Sequence, residues 1–179
     1  MVDDLRSRCP HIAVAFLYAD YRDQTNQTLG PILGTILHQL LTTASESIPD
    51  EITRKLRNTW KVDAEDNLAL LRIRLRQLKH AFICIDAIDE LEPKVRRQLL
   101  NALKELKTNN TRLFLTGRNN VKNDIQEYFL VTEVVISANE QDIENFVRKQ
   151  INNDPYPGAM DAELEKDITD AIINKSQGM

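Results

Sequence analysis

Two cysteines, three histidines and five glycines in 179 residues leave several chemistries without material. Cys9 and Cys84 are too few for a disulfide framework, and Cys84 lies inside an apolar run, as a small buried residue in a reducing compartment would. His11, His38 and His80 show no metal-ligand spacing and Cys84 has no companion, so no zinc site is expected. No apolar run is long enough to span a bilayer, and the charged start, Met1 to Arg8, lacks the apolar stretch of a secretory signal. There is no basic excess either. A net charge of −4 and a pI near 5.4 speak against general nucleic-acid binding. The one basic cluster, Arg72, Arg74, Arg76 and Lys79, reads as the solvated face of a helix. The single tryptophan, Trp60, reads as a core or interface residue. What remains, 42% hydrophobic and 28% charged, fits one soluble, cytoplasmic globular domain.

Strand-like and helix-like segments alternate along the chain. Ile12 to Tyr18 is a short apolar run, followed by a polar loop from Asp20 to Gln27. Leu29, Ile32, Leu33, Ile36, Leu37, Leu40 and Leu41 then repeat with a helical period, with Thr28 as cap. A weaker helix is expected from Pro49 to about Trp60. Leu68, Leu71, Leu75 and Leu78 mark the next. His80 to Ala87 is a second apolar run, and Pro93 opens a helix with Val95, Leu99, Leu103 and Leu106 on one face. Arg112–Thr116 is a third strand, Val121 to Tyr128 a short helix, and Glu133–Ile136 a fourth strand rich in β-branched residues. Asn139 caps a helix whose stripe is Ile143, Phe146, Val147 and Ile151. Asp154 to Gly158 is turn-rich, and a last helix carries Leu164, Ile168, Ala171 and Ile172. Strands reading as unbroken apolar runs between helices predict a parallel α/β sheet covered on both faces. In such sheets the chemistry lies at the carboxyl ends of the strands.

Two strand ends carry suggestive residues. In Phe82-Ile-Cys-Ile-Asp86-Ala-Ile-Asp89-Glu90, four apolar residues end in an acid, and two more acids follow. An acid at the end of a buried strand is costly unless it serves there, and a magnesium ion is one reason for it. A second acid just beyond can orient or deprotonate a water for phosphoryl transfer. The bland reading is an acidic turn before the helix at Pro93. In Arg112-Leu-Phe-Leu-Thr116-Gly117-Arg118, another short strand ends in a polar residue and then an arginine, a forked donor suited to a phosphate. The bland reading is a surface arginine in a turn. A phosphatase or Toprim-like magnesium fold is a third option, but these use Asp-x-Asp spacing and leave the second strand unexplained.

The two motifs, in this order, resemble the Walker B and sensor strands of the NACHT domain of fungal STAND proteins, the nephrocystin-like group. The likeness extends over Val2-Asp-Asp-Leu5, Val14–Tyr18 with Asp20-Tyr21, Gln27-Thr28-Leu29, Ile32-Leu33-Gly34, Ile85–Leu91, Leu113–Thr116 with Arg118, Ile136-Ser-Ala138 with Asp142-Ile143, and Lys175–Met179. It implies a P-loop NTPase-like parallel sheet with flanking helices that lacks the P-loop strand. Residues 1–138 would be the partial core, and residues 139–179 the start of a helical lid. It further implies Asp86 as the magnesium-associated acid, Asp89 and Glu90 as catalytic acids, and Arg118 as the sensor, with Mg2+ and ATP or GTP as cofactors. Gly117 stands where the family more often has serine.

The family's P-loop ends in Gly-Lys-Ser/Thr, and none of the five glycines here precedes a lysine. Val2–Leu5 corresponds to the helix after that loop, so the resemblance implies a fragment, or a product truncated at both ends. Charged hydrogen bonds contribute roughly 1.5–3 kcal/mol each. Losing three removes roughly 4.5–9 kcal/mol, when a micromolar site holds only about 8 in total. The expectation is a fragment of a STAND-type signalling ATPase that binds nucleotide at millimolar concentration or not at all. The alternative is a non-catalytic module that associates with full-length NACHT proteins. Without the P-loop strand, the Glu133–Ile136 strand would pair directly with Arg112–Thr116 or remain an unpaired edge. Low stability or aggregation is then expected, and a cooperative melt above about 55 °C would count against it.

Overall fold

The computed structural model describes residues 12–23, 25–43, 47–58, 62–136, 139–153 and 161–176. The expectations placed on Val2–Leu5, Cys9, His11, Trp60, Ser137-Ala138, Asp154–Gly158 and the last three residues lie outside these. The chain forms two compact units, Met1–Val131 and Thr132–Met179. The sequence pattern places the corresponding boundary at 138.

The first unit is an α/β layer built on three parallel strands, β1 (Ala13–Tyr18), β2 (Ala81–Asp86) and β3 (Thr111–Leu115), in that spatial order. Ala13 pairs with Ala81 and Tyr18 with Asp86; Ala81 pairs with Thr111 and Ile85 with Leu115. Parallel neighbours need crossovers, and helices supply them. Between β1 and β2 run α1 (Leu29–Thr43), α2 (Asp50–Asn58) and α3 (Ala64–Gln77); between β2 and β3 runs α4 (Pro93–Leu106). A short α5 (Lys122–Gln126) follows β3.

The periodic apolar positions are the ones buried. Ile32, Leu33, Ile36, Leu37 and Leu40 of α1 meet Leu70, Leu71, Leu75 and Leu78 from α3 and its end, and Val95, Leu99, Leu103 and Leu106 of α4 join the same core. Asp63 caps α3 by accepting the Asp66 N–H at 2.8 Å, and Pro93 starts α4 where its missing N–H costs nothing. The two faces of the sheet differ. Ala81, Ile83 and Ile85 are fully buried, whereas Phe82 and Cys84 are half-buried and Phe114 on β3 is 46% exposed. Among the described residues, then, one sheet face is more fully packed than the other, not both alike as the apolar runs suggested.

Three further expectations are corrected. Arg74 is not on a solvated face: it is 0% exposed and donates from Nε to the Leu40 carbonyl at 3.2 Å and from Nη1 to the Ser47 carbonyl at 3.1 Å. It occupies the inner stripe of α3 with Asn67, Leu70, Leu71 and Leu75, and its charge meets the carbonyl-rich end of α1, where cations are favoured. Glu133–Ile136 forms no strand, and Val134, Val135 and Ile136 are 77–82% exposed. β-propensity expresses itself only where a neighbouring strand supplies a ladder.

The third correction lies in the second unit, which comprises α6 (Glu140–Asn152) and α7 (Ala162–Ser176), packed on each other. Asn139 caps α6 as expected, accepting the Asp142 N–H at 2.7 Å. Of the expected stripe, however, only Val147 is buried, and Phe146 is 62% exposed, because within this unit α6 has a single helical neighbour to pack against.

Candidate functional site

The site lies at the carboxyl ends of β2 and β3. β2 ends at Asp86, and the chain turns through Ala87 into a short 3-10 turn, Ile88–Glu90. Ala87 has φ 55° and ψ 46°, a left-handed conformation found at no other non-glycine among the described residues. Thr116, just past β3, explains the turn. Its hydroxyl accepts the Ala87 N–H at 2.9 Å and donates to Asp86 Oδ1. Its own N–H donates to the Ile85 carbonyl and its carbonyl accepts the Ile88 N–H, both at 2.9 Å. One threonine thus ties the end of β2, the left-handed residue and the following turn to β3.

The two later acids are held differently. Asp89 has an 8% exposed side chain: Oδ1 accepts the Arg118 backbone N–H at 3.2 Å and Oδ2 lies 3.5 Å from Arg118 Nε. The Arg118 side chain itself is 81% exposed. Glu90 Oε2 accepts the Tyr21 N–H at 3.1 Å, which fastens the loop after β1 to the same turn. In that loop Arg22 donates to Asp20 from its side chain and its backbone N–H, and these bonds hold the Asp20 carboxyl down to about 2.

Asp89, Glu90 and Arg118 line one open groove of about 630 Å3 with Tyr21, Pro93, Arg96 and Asn120, while Asp86 stands outside it at the strand end. Arg96 is committed to Asp124 at 2.7 Å and to the Leu91 carbonyl. Asp86, Asp89, Glu90 and Arg118 therefore all sit at one end of the sheet, as the sequence reading required, but each acid already has a protein partner. The sequence reading gave Thr116 no role. Its signal was available: a hydroxyl residue directly after a strand that neighbours an acid-terminated strand.

The residues fit a magnesium ion in one way only. Among the described residues no group of three or more His, Cys, Asp or Glu side chains could hold a metal by itself. Asp86 is exposed, and its Oδ2 has no protein partner among the described residues. One carboxylate oxygen suits an ion that takes its remaining ligands from waters and phosphates, as magnesium does.

Gly117 fills the turn between Thr116 and Arg118. A Cβ there would lie 2.9 Å from Val121 Cγ2, 3.1 Å from Ile88 Cγ2 and 3.3 Å from Asp89 Oδ1. The close approach of the two turns therefore depends on glycine at this position, and a serine would push them apart.

No helix among the described residues is long and apolar enough to cross a membrane. Comparison with curated proteins found no significant match. Among solved structures, the chain is similar to the Walker-type ATPase PABY2304 of Pyrococcus abyssi, with 10% identity and a TM-score of 0.45; the match covers 96% of this chain and 60% of that one. A family model described as Nephrocystin 3, N-terminal, matches residues 1–118. That match takes in all three strands together with Asp86, Asp89, Glu90, Thr116 and Arg118, and the chain belongs to this nephrocystin N-terminal family.

Proposed function

We propose that the chain carries the Walker B and sensor side of a NACHT-type nucleotide site, from a STAND-type signalling ATPase of the cytoplasm. Asp86 would hold Mg2+ beside the phosphates of ATP or GTP, the acidic pair Asp89 and Glu90 would supply the acid that serves the attacking water, and Arg118 would reach the terminal phosphate. The observation that carries this reading is the junction of Asp86, Ala87 and Thr116, which places an exposed carboxylate oxygen at the strand ends with an arginine two residues beyond the threonine. When bound, magnesium would supply charge neutralisation on the phosphates.

These 179 residues contain no Gly-Lys-Ser/Thr. The P-loop amides and lysine make most phosphate contacts in such sites, so this chain alone should bind nucleotide at millimolar concentration or not at all. A titration with a fluorescent ATP analogue, with and without magnesium and alongside Asp86→Ala, tests both parts. Supplementing the chain with a P-loop-bearing NACHT protein should create or strengthen binding that Asp86→Ala abolishes. Binding indifferent to Asp86 and magnesium would sink the nucleotide-site reading. Micromolar binding by the chain alone that needs both would sink the argument about the P-loop.

A second reading, a non-catalytic module that associates with NACHT proteins, is favoured by the outer edge of β3. β3 is an end strand of the described sheet, so no described strand lies along its side away from β2. Co-purification with a longer NACHT protein, unaffected by Asp86→Ala, would support it.

A further inference from the structure

The two acids after Asp86 are neighbours in sequence and opposites in placement. Asp89 is nearly buried, and both of its oxygens face one residue, Arg118. Glu90 stands on the groove wall with Oε2 on the Tyr21 N–H, and its Oε1 finds no protein partner among the described residues. Asp89 also borders the groove, but with its side chain 8% exposed and both oxygens against Arg118 it offers a ligand-bound water less than Glu90 does, because general bases act at hydrogen-bond reach of the proton they take.

We propose that Asp89 is a positioning residue: it clamps the Thr116–Arg118 turn against the Ile88–Glu90 turn and parks the Arg118 guanidinium, leaving Glu90 as the acid open to a ligand. Three observations converge on the clamp: the backbone bond from Arg118 N–H, the 3.5 Å approach of Nε, and the glycine at 117 that lets the two turns close to contact. The two bonds differ in kind. The backbone N–H to a nearly buried carboxylate is charge-assisted and holds the turn. The guanidinium contact is mostly exposed and weak. A phosphate arriving in the groove would draw the guanidinium off Oδ2 while the backbone bond keeps the turn in place. The arginine can therefore exchange an internal anion for an external one without refolding its loop. The guanidinium's role toward phosphate rests on the nucleotide-site reading above; the clamp does not.

The test is amide exchange and resonance position at residue 118 in the 15N-labelled chain. In Asp89→Ala the Arg118 N–H should exchange roughly tenfold faster or more, the effect of a lost charged hydrogen bond. In Glu90→Gln it should change less than about twofold, and in Arg118→Ala the amide of residue 118 should stay protected, since the side chain is not what holds the turn. Equal loss of protection in Glu90→Gln and Asp89→Ala, or no loss in Asp89→Ala, overturns the clamp. Should Asp89→Ala not fold, the unsubstituted chain decides: its Arg118 amide resonance should follow the titrating carboxyl carbon of Asp89 and not that of Glu90, and the reverse overturns the proposal. Inorganic pyrophosphate is the last arm. The Arg118 Nε resonance should respond to it at lower concentration in Asp89→Asn than in the unsubstituted chain. A stronger response in the unsubstituted chain overturns the parking of the arginine. No response in any form, with the exchange results intact, upholds the clamp and overturns the transfer of the guanidinium from Asp89 to phosphate.

Discussion

Single residues here carry costs that their surroundings offset. Ala87 sits in the left-handed region, where an L-residue costs roughly 1–2 kcal/mol, to bring its N–H to Thr116. Glycine removes that strain but loses roughly 0.5–1 kcal/mol of backbone entropy, so Ala87→Gly should be neutral or stabilising by up to about 1 kcal/mol, read as an unchanged or raised melting temperature. Arg74 is the reverse case, a buried cation held by carbonyls of Leu40 and Ser47. Arg74→Met keeps the apolar stem and strands the acceptors, and should cost about 2–4 kcal/mol, seen as a lower urea midpoint at constant slope. Arg72, Arg74 and Arg76 look alike in sequence, and only Arg74 of the three is buried. Yet positions 67, 70, 71, 74 and 75 form one helical stripe, and that spacing alone marks Arg74 as inward-facing. Asp20 offers a pH handle. Its folded value, about 2, lies below the ordinary 3.8, so whatever it contributes is present above about pH 4 and lost as pH falls toward 2. An Arg22→Ala chain should show a smaller acid-side loss, and its Asp20 carboxyl, still bonded to the backbone N–H of residue 22, should rise toward the ordinary value when followed by NMR.

Among elements, the two edges of the sheet are managed differently. β1's outer groups are met by side-chain amides: Gln39 of α1 accepts the Phe16 N–H at 3.0 Å and donates to its carbonyl at 2.8 Å. Gln27 likewise accepts the Asp20 N–H and donates to the Tyr18 carbonyl, continuing at every second residue as a paired strand would. Removing this substitute ladder in Gln39→Ala should cost about 1–3 kcal/mol, measurable by denaturant unfolding, because two half-buried backbone groups lose their partner. β3 shows no such cover among the described residues. The helices and three strands were legible in the sequence because their apolar periods run long. The fourth strand was not, because pairing is a property of two segments and Glu133–Ile136 advertises only one. The site acids were legible as an interruption of an apolar run. Apart from Thr116, their partners were not: the Tyr21 and Arg118 backbone N–H groups on Glu90 and Asp89 are contacts between distant turns, which leave no local pattern.

At the scale of the whole chain, burial is unevenly distributed, and stability should follow it. The first unit holds nearly every fully buried side chain, from Val14 through Leu106. In the second unit α6 and α7 have 13 and 15 residues, and among their described residues Val147 alone is buried to a comparable degree. Isolated helices of that length are marginal in water, and a two-helix contact with exposed Phe146, Leu164 and Ile172 adds little apolar burial. Local opening free energies track such burial, so native-state hydrogen exchange should separate the units. Amides of Ala81–Asp86 and the middle of α4 should exchange at least roughly a hundredfold more slowly than those of α6 and α7. Equal protection would mean that the exposed stripe of α6 is covered in solution. Repeating the exchange across a concentration series would then identify self-association as the cause, because protection of α6 by a second copy must rise with concentration, whereas burial within one chain cannot.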